Sequence, residues 1–146
     1  LTFQPASKKS KMDAALNFLS TNVKQGAVIV LASDFFSSFD RKKLEVLSRK
    51  HDFVCLRSVD PRDTNLPNVG LLRLEDPETG ESVLLPTNSA TFRESYGKTQ
   101  HQFRENAGRL IKRSGASLID LSTDADQARV LHQFFHSRRG SKGART

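Results

Sequence analysis

Ala27-Val28-Ile29-Val30-Leu31-Ala32-Ser33 is a continuous apolar run, β-branched at its centre, that ends against a carboxylate, Asp34. A run of this length without polar alternation is the pattern of a strand buried on both faces of a parallel sheet. The flanking sequence agrees. Upstream, Ala15, Leu16, Leu19 and Val23 recur at helical spacing and Gly26 follows as a stop, which predicts a helix over 12–24. Downstream, Asp40 is placed to cap a helix running to about Lys50, whose apolar face is Leu44 and Leu47. Phe53-Val54-Cys55-Leu56 then gives a second buried strand. Strand, helix and strand in this order make a βαβ unit, which takes a right-handed crossover.

Further out, Gly70 to Glu75 and Glu81 to Pro86 are short apolar segments joined by Asp76-Pro77-Glu78-Thr79-Gly80, all turn-forming residues, and predict a β-hairpin. A long amphipathic stretch follows, with Phe92, Tyr96, Phe103, Ala107, Leu110 and Ile111 on one face, a point of division at Gly97, and an end at Gly115. Ala116 to Leu121 reads as a third strand. Ser122 or Thr123 is expected to cap a last helix that buries Val130, Leu131, Phe134 and Phe135. The order predicts a three-layer α/β domain with three mainly parallel strands and an inserted β-hairpin. Ligands on such sheets bind at the carboxyl ends of strands, here Ser33, Asp34, Asp60 and Ser122-Thr123-Asp124.

The chain carries 23 Lys and Arg against 16 Asp and Glu, a net charge of +7. Lys8, Lys9, Lys11, Arg138, Arg139, Lys142 and Arg145 account for the whole excess, which leaves the body between Asp13 and His136 neutral. The pattern divides the chain into a flexible basic segment over 1–12, a folded body over 13–139 and a flexible basic tail over 140–146. Charge confined to tails argues against a nucleic-acid-binding body. Cys55 is the single cysteine, so no internal disulfide forms, and a reducing, cytoplasmic setting is expected. The longest apolar run is far shorter than a membrane span. A first residue of Leu1 rather than Met suggests a piece of a longer protein.

No catalytic motif is complete. Gly97-Lys98-Thr99 ends like a phosphate-binding loop, but Phe92 stands where the first glycine belongs. His132 and His136 have the spacing of a zinc-protease helix, yet Gln133 replaces the general base and no third ligand is evident. Cys55 sits inside an apolar strand without a basic neighbour in sequence, and reads as a small buried hydrophobe. Asp34, beside Ser33 at a strand end, is the best candidate to hold a divalent cation, because hard cations take oxygen ligands. It is equally placed to cap the turn.

Val28 to Phe35, His51-Asp52-Phe53-Val54, Asp60-Pro61-Arg62-Asp63, Leu66-Pro67-Asn68-Val69-Gly70 and Asp76 to Gly80 together resemble the bacterial domain-of-unknown-function family fifty-eight. Leu121 to Asp124, Leu131 to Phe135 and Arg138 fit the family's closing segment, so the resemblance runs from about Asp13 to Arg139. It implies a truncated von Willebrand factor A-like sheet, in proteins often encoded beside MoxR-type AAA+ ATPases. The implied metal site combines an Asp-x-Ser-x-Ser loop, a threonine from a second loop and a later aspartate. Asp34 matches the aspartate by position. The first loop would precede Leu1, and only Ser7 and Ser10 stand where the threonine is expected. Asp120 to Asp124 approaches the first loop by letters but falls at the last strand, where helix capping explains it.

The resulting expectation is a non-catalytic protein-interaction module, part of a von Willebrand A-like protein acting with a MoxR-type AAA+ ATPase on an unknown client. Asp34, Phe35 and Phe36 are the expected partner-binding residues, since two aromatics beside a carboxylate can anchor an interface. No cofactor is expected in this chain, and Mg²⁺ only in an intact parent, which an absent segment would anchor to a membrane. The edge of the strand at 27–33 is expected to pair with a second copy or with the amino-terminal segment. Two alternatives are a nucleic-acid-binding protein acting through its basic tails, and a divalent-metal-dependent hydrolase centred on Asp34, Asp60 and Asp63.

Overall fold

The computed structural model describes residues 12–75 and 80–142. Helix α1 (Met12–Asn22) leads into strand β1 (Val28–Ser33), helix α2 (Arg41–Lys50) and strand β2 (Asp52–Val59). A short 3-10 turn (Pro61–Asp63) and the hairpin strands β3 (Leu71–Glu75) and β4 (Ser82–Pro86) come next. Helix α3 (Ala90–Arg113), strand β5 (Ser117–Ser122) and helix α4 (Gln127–Lys142) complete the order. The strands β1, β2 and β5 form a parallel sheet in the order β1-β2-β5, and β3 pairs antiparallel with β4 in a separate sheet. Asp40 caps α2 as expected, its side chain accepting from the Lys42 amide at 2.8 Å.

Alternation along the strands sorts their side chains onto two faces. Ile29, Phe53 and Cys55 point to one, where Leu16 of α1, Leu44 and Leu47 of α2, and Ala107 and Ile111 of α3 close over them. Each such Leu, Ile or Phe stabilises the fold by roughly 2 kcal/mol. Asp52, Val54 and Ile119 point to the other face, which α4 covers, with Arg138 Nη2 donating to Asp52 Oδ1 at 2.6 Å. The result is the expected three-layer α/β arrangement, with the hairpin inserted between β2 and α3.

Four details depart from the sequence reading. Strand β1 is not buried on both faces: it is the edge of the sheet, α4 lies over its neighbours, and Val28 and Val30 are 62% and 49% exposed. Helix α3 runs unbroken through Gly97, whose missing Cβ has a packing reason instead. A Cβ there would meet the Thr64 carbonyl oxygen at 2.7 Å, so glycine lets the helix lie directly against the turn that follows β2. The cap of α4 is Asp126, which accepts from the Arg129 amide at 3.0 Å, rather than Ser122 or Thr123. Ser122 donates to Asp124 within the preceding turn. Finally, α4 leaves Phe135 exposed, and α3 leaves Phe103 and Leu110 partly so.

Residues 1–11, 76–79 and 143–146 lie outside the described residues, and with them most of both expected tails, Ser7, Ser10 and the expected turn Asp76 to Thr79. Met12, assigned above to the amino-terminal segment, opens α1 and is buried, and α4 extends into the expected tail as far as Lys142. No helix among the described residues is long and apolar enough to cross a membrane.

Candidate functional site at the carboxyl end of the sheet

The turn that leaves β1 is built by its own side chains. Ser33 Oγ accepts from the Phe35 amide and Asp34 Oδ1 from the Phe36 amide, each at 3.1 Å, and Ser33 Oγ donates to the same Asp34 oxygen at 3.5 Å. These bonds hold Phe35 at φ +57°, a left-handed conformation costly for a bulky residue. Burial offsets that strain: Phe35 is 1% exposed and meets Phe39 edge-on with ring centroids 6.0 Å apart.

The three residues expected to meet a partner therefore separate. Phe35 belongs to the core and is out of reach of a partner. Phe36 turns outward, 36% exposed, and stacks on Phe103 of α3 with centroids 5.7 Å apart. Asp34 is exposed, with one oxygen engaged in the turn. Tested as a cation site, this corner offers one carboxylate, and among the described residues no three His, Cys, Asp or Glu side chains converge. The donor set present here does not fit the metal site that the resemblance implies.

Asp60 and Asp63 are likewise occupied. Asp60 caps the 3-10 turn through the Arg62 amide at 2.9 Å, and Asp63 faces Arg104 at 3.7 Å. Asp34, Asp60 and Asp63 are not assembled into a ligand group. Cys55 is fully buried and burial pushes its thiol up to about 12, the opposite of an activated nucleophile. His132 and His136 lie one turn apart on α4, ring centroids 5.8 Å apart, with no third ligand beside them among the described residues. Lys98 and Thr99 are exposed within α3, and the Thr99 hydroxyl donates to the Ser95 carbonyl at 2.9 Å.

Next to Phe36 the structure opens a cleft of about 620 Å³ between the hairpin and α3. Leu74, Val83, Leu85, Tyr96 and Phe36 supply its apolar surface, and Asp63, Glu75, Glu81 and Gln100 its polar one. The hairpin presents Leu74 and Leu85 there because the pairs Leu74↔Val83 and Leu72↔Leu85 share one face of the ribbon. Its base is fixed by the buried Thr87, whose hydroxyl donates to the Gly70 carbonyl at 2.8 Å and accepts from the Val69 amide at 3.1 Å. Arg93 of α3 donates to the Thr87 carbonyl, which ties hairpin to helix. The Tyr96 hydroxyl is raised above its ordinary range, first by burial and then by the charge of Asp63, while a hydrogen bond with Gln100 opposes the shift. Sequence reasoning passed over this cleft. Its only signal was the apolar content of both hairpin strands, more than one buried face can use.

The family model described as "Protein of unknown function DUF58" matches residues 1–106. The uncharacterised protein MAV169 of Mycobacterium avium is 28% identical over 136 residues, covering 92% of this chain and 80% of that protein. Uncharacterised proteins Mb1516 of Mycobacterium bovis and Rv1480 of Mycobacterium tuberculosis are each 28% identical over 136 residues, again 92% of this chain but 43% of theirs. The chain thus spans less than half the length of these two relatives. No solved structure matches. The family match takes in both strands of the βαβ unit, the Phe36 turn, the hairpin and most of α3, and on that ground the chain belongs to the DUF58 family of proteins of unknown function.

Proposed function

We propose that this chain is a non-catalytic protein-interaction module, the part of a von Willebrand A-like protein through which it works with a MoxR-type AAA+ ATPase in maturing or assembling other complexes in the cytoplasm. Family membership and the parallel α/β sheet support the reading by analogy. The observation that carries it is the division of labour at the carboxyl end of the sheet. There Asp34 and Asp60 serve as turn acceptors, while an aromatic pair, Phe36 on Phe103, faces solvent beside them. Exposed stacked aromatics flanked by a carboxylate suit an interface better than a reaction centre.

The test is affinity capture of the full-length protein from its own cells with Mg²⁺ present, with bound proteins identified by mass spectrometry. An AAA+ ATPase is expected with the wild type and is expected to drop about tenfold with Phe36→Ala or Asp34→Ala. Recovery of no ATPase, or equal recovery with both variants, overturns the reading.

A second reading is favoured by β1. Its outer edge pairs with no strand among the described residues, and Val28 and Val30 are exposed beside it. Such an edge suits pairing with a second copy. Sedimentation equilibrium is expected to give a dimer that Val30→Lys dissociates, and a monomer at every concentration contradicts this.

A further inference from the structure

We infer that the cleft between the hairpin and α3 binds a peptide segment that combines large apolar side chains with Lys or Arg. This rests on the interaction reading but commits to a surface and to a partner chemistry that the reading leaves open.

Three features carry it. The first is unspent apolar surface on a built concavity: Val83 and Leu74 are 59% and 40% exposed, yet they share a face with Leu85 and look onto Tyr96. A two-stranded ribbon is marginal alone, so one that leaves half its inner face uncovered gains from an occupant. The second is rigidity. Thr87 and Arg93 fix the ribbon to the helix, so a partner meets a preformed slot and loses less ordering entropy on binding. The third is charge. Among the described residues the charged groups that line the cleft are the acids Asp63, Glu75 and Glu81, with no Lys, Arg or His, and Arg104 faces Asp63 at 3.7 Å from outside the lining. On a body whose charges otherwise balance this is a locally acidic surface, and it selects cationic partners over acidic ones.

The occupant that fits is an extended or helical segment with apolar side chains seated against Leu74, Val83 and Tyr96 and with basic ones reaching Glu75. An acidic-apolar segment has the same apolar match but meets like charge at the rim.

The experiment titrates the intact 146-residue chain into a fluorescently labelled peptide alternating Lys with Leu and Phe, and into its counterpart carrying Glu for Lys, read by anisotropy. The basic peptide is expected to bind and the acidic one not. Glu75→Lys is expected to weaken binding about tenfold and raised salt to weaken it further. Val83→Thr, which keeps strand propensity and shape, is expected to weaken it about threefold, while Leu84→Thr on the opposite face of the same ribbon leaves it unchanged. Equal binding of both peptides, or loss with Leu84→Thr equal to that with Val83→Thr, overturns the proposal. So does self-association of the chain that Val83→Thr abolishes, because the occupant is then a second copy. Failure here with ATPase capture intact removes only the cleft, and the converse removes only the ATPase.

Discussion

Arg57 and Asp120 face each other across the neighbouring parallel strands β2 and β5, joined by two hydrogen bonds of 2.8 Å from Nε and Nη2 to the two carboxylate oxygens. The third arm of the guanidinium, Nη1, donates to the Arg104 carbonyl of α3 at 2.6 Å. One side chain thus clamps two strands and a helix. The pair is asymmetric, because the arginine side chain is 7% exposed and the aspartate 51%.

That asymmetry sets the direction of a mutant comparison. Asp120→Ala leaves a buried guanidinium without its anion and is expected to cost about 2–4 kcal/mol. Arg57→Met fills the same space and leaves a carboxylate that water can reach, so about 1–2 kcal/mol is expected. Urea denaturation of both variants checks the order, and the double variant should cost less than the sum of the two.

At Gly97 a gain in helix propensity opposes a steric clash. Alanine is preferred over glycine in a helix by about 1 kcal/mol. Here its Cβ would lie 2.7 Å from the Thr64 carbonyl oxygen, a backbone atom that cannot swing aside. Gly97→Ala is therefore expected to destabilise by about 1–3 kcal/mol in spite of propensity. Gly108→Ala, whose Cβ would meet the movable ends of Leu118 and Arg57 at 3.4 and 3.5 Å, is expected to be close to neutral. Melting temperatures of the two variants separate these effects.

Adjacent phenylalanines should behave oppositely. Phe35→Ala removes a buried ring and is expected to cost about 3 kcal/mol, because alanine keeps a Cβ and so relieves none of the strain at this positive φ. Phe36→Ala is expected to cost under about 1 kcal/mol, since its ring is packed on one side only. If thermal unfolding shows equal losses, the assignment of one ring to the core and one to the surface is wrong.

Cys55 gives a pH dependence of known sign. Its thiol is pushed from an ordinary 9.0 to about 12, so below pH 9.0 both folded and unfolded chains keep the proton and the group contributes no slope. Between those values the unfolded chain releases the proton and the folded chain holds it, which makes stability fall as pH rises, by up to about 1.4 kcal/mol per unit. Tyr96, raised above 10.0, acts in the same direction over an alkaline range that overlaps that of Cys55. Replacement by Ala at Cys55 is expected to flatten the alkaline decline, measured by urea titration across pH, and the native thiol should resist alkylation at neutral pH until the chain unfolds.

The elements were legible because each had a local cause: the apolar run ending at Ser33, Asp40 as a cap, and Leu44 and Leu47 on one helical face. The free edge of β1 was expected, but the exposure of Val28 and Val30 was not, because an apolar run does not show how far α4 reaches across the second face of the sheet. The site was legible in part. Asp34 could be placed at a strand end as cation ligand or turn cap, and the hydrogen bonds show its carboxylate building the turn. Nothing in the letters Phe35-Phe36 says which ring turns inward, since that choice follows from the positive φ at Phe35. The cleft was hidden because it joins hairpin strands to a helix through contacts distant in the chain, and Arg57 was hidden because its partner lies 63 residues away.

The strand order also sets a timetable for the nascent chain. Val28 and Asp52, paired in β1 and β2, are 24 positions apart, whereas Val54 and Ser117, paired in β2 and β5, are separated by 63. Closing the longer loop costs roughly 0.9 kcal/mol more chain entropy, and it must wait for the hairpin and α3 to be laid down. The βαβ half is thus expected to form as an early kinetic nucleus, with β5 arriving last and locking in through Arg57. Pulsed hydrogen exchange during refolding would read this as protection of β1 and β2 amides ahead of those in β5, and simultaneous protection of all three strands would rule it out.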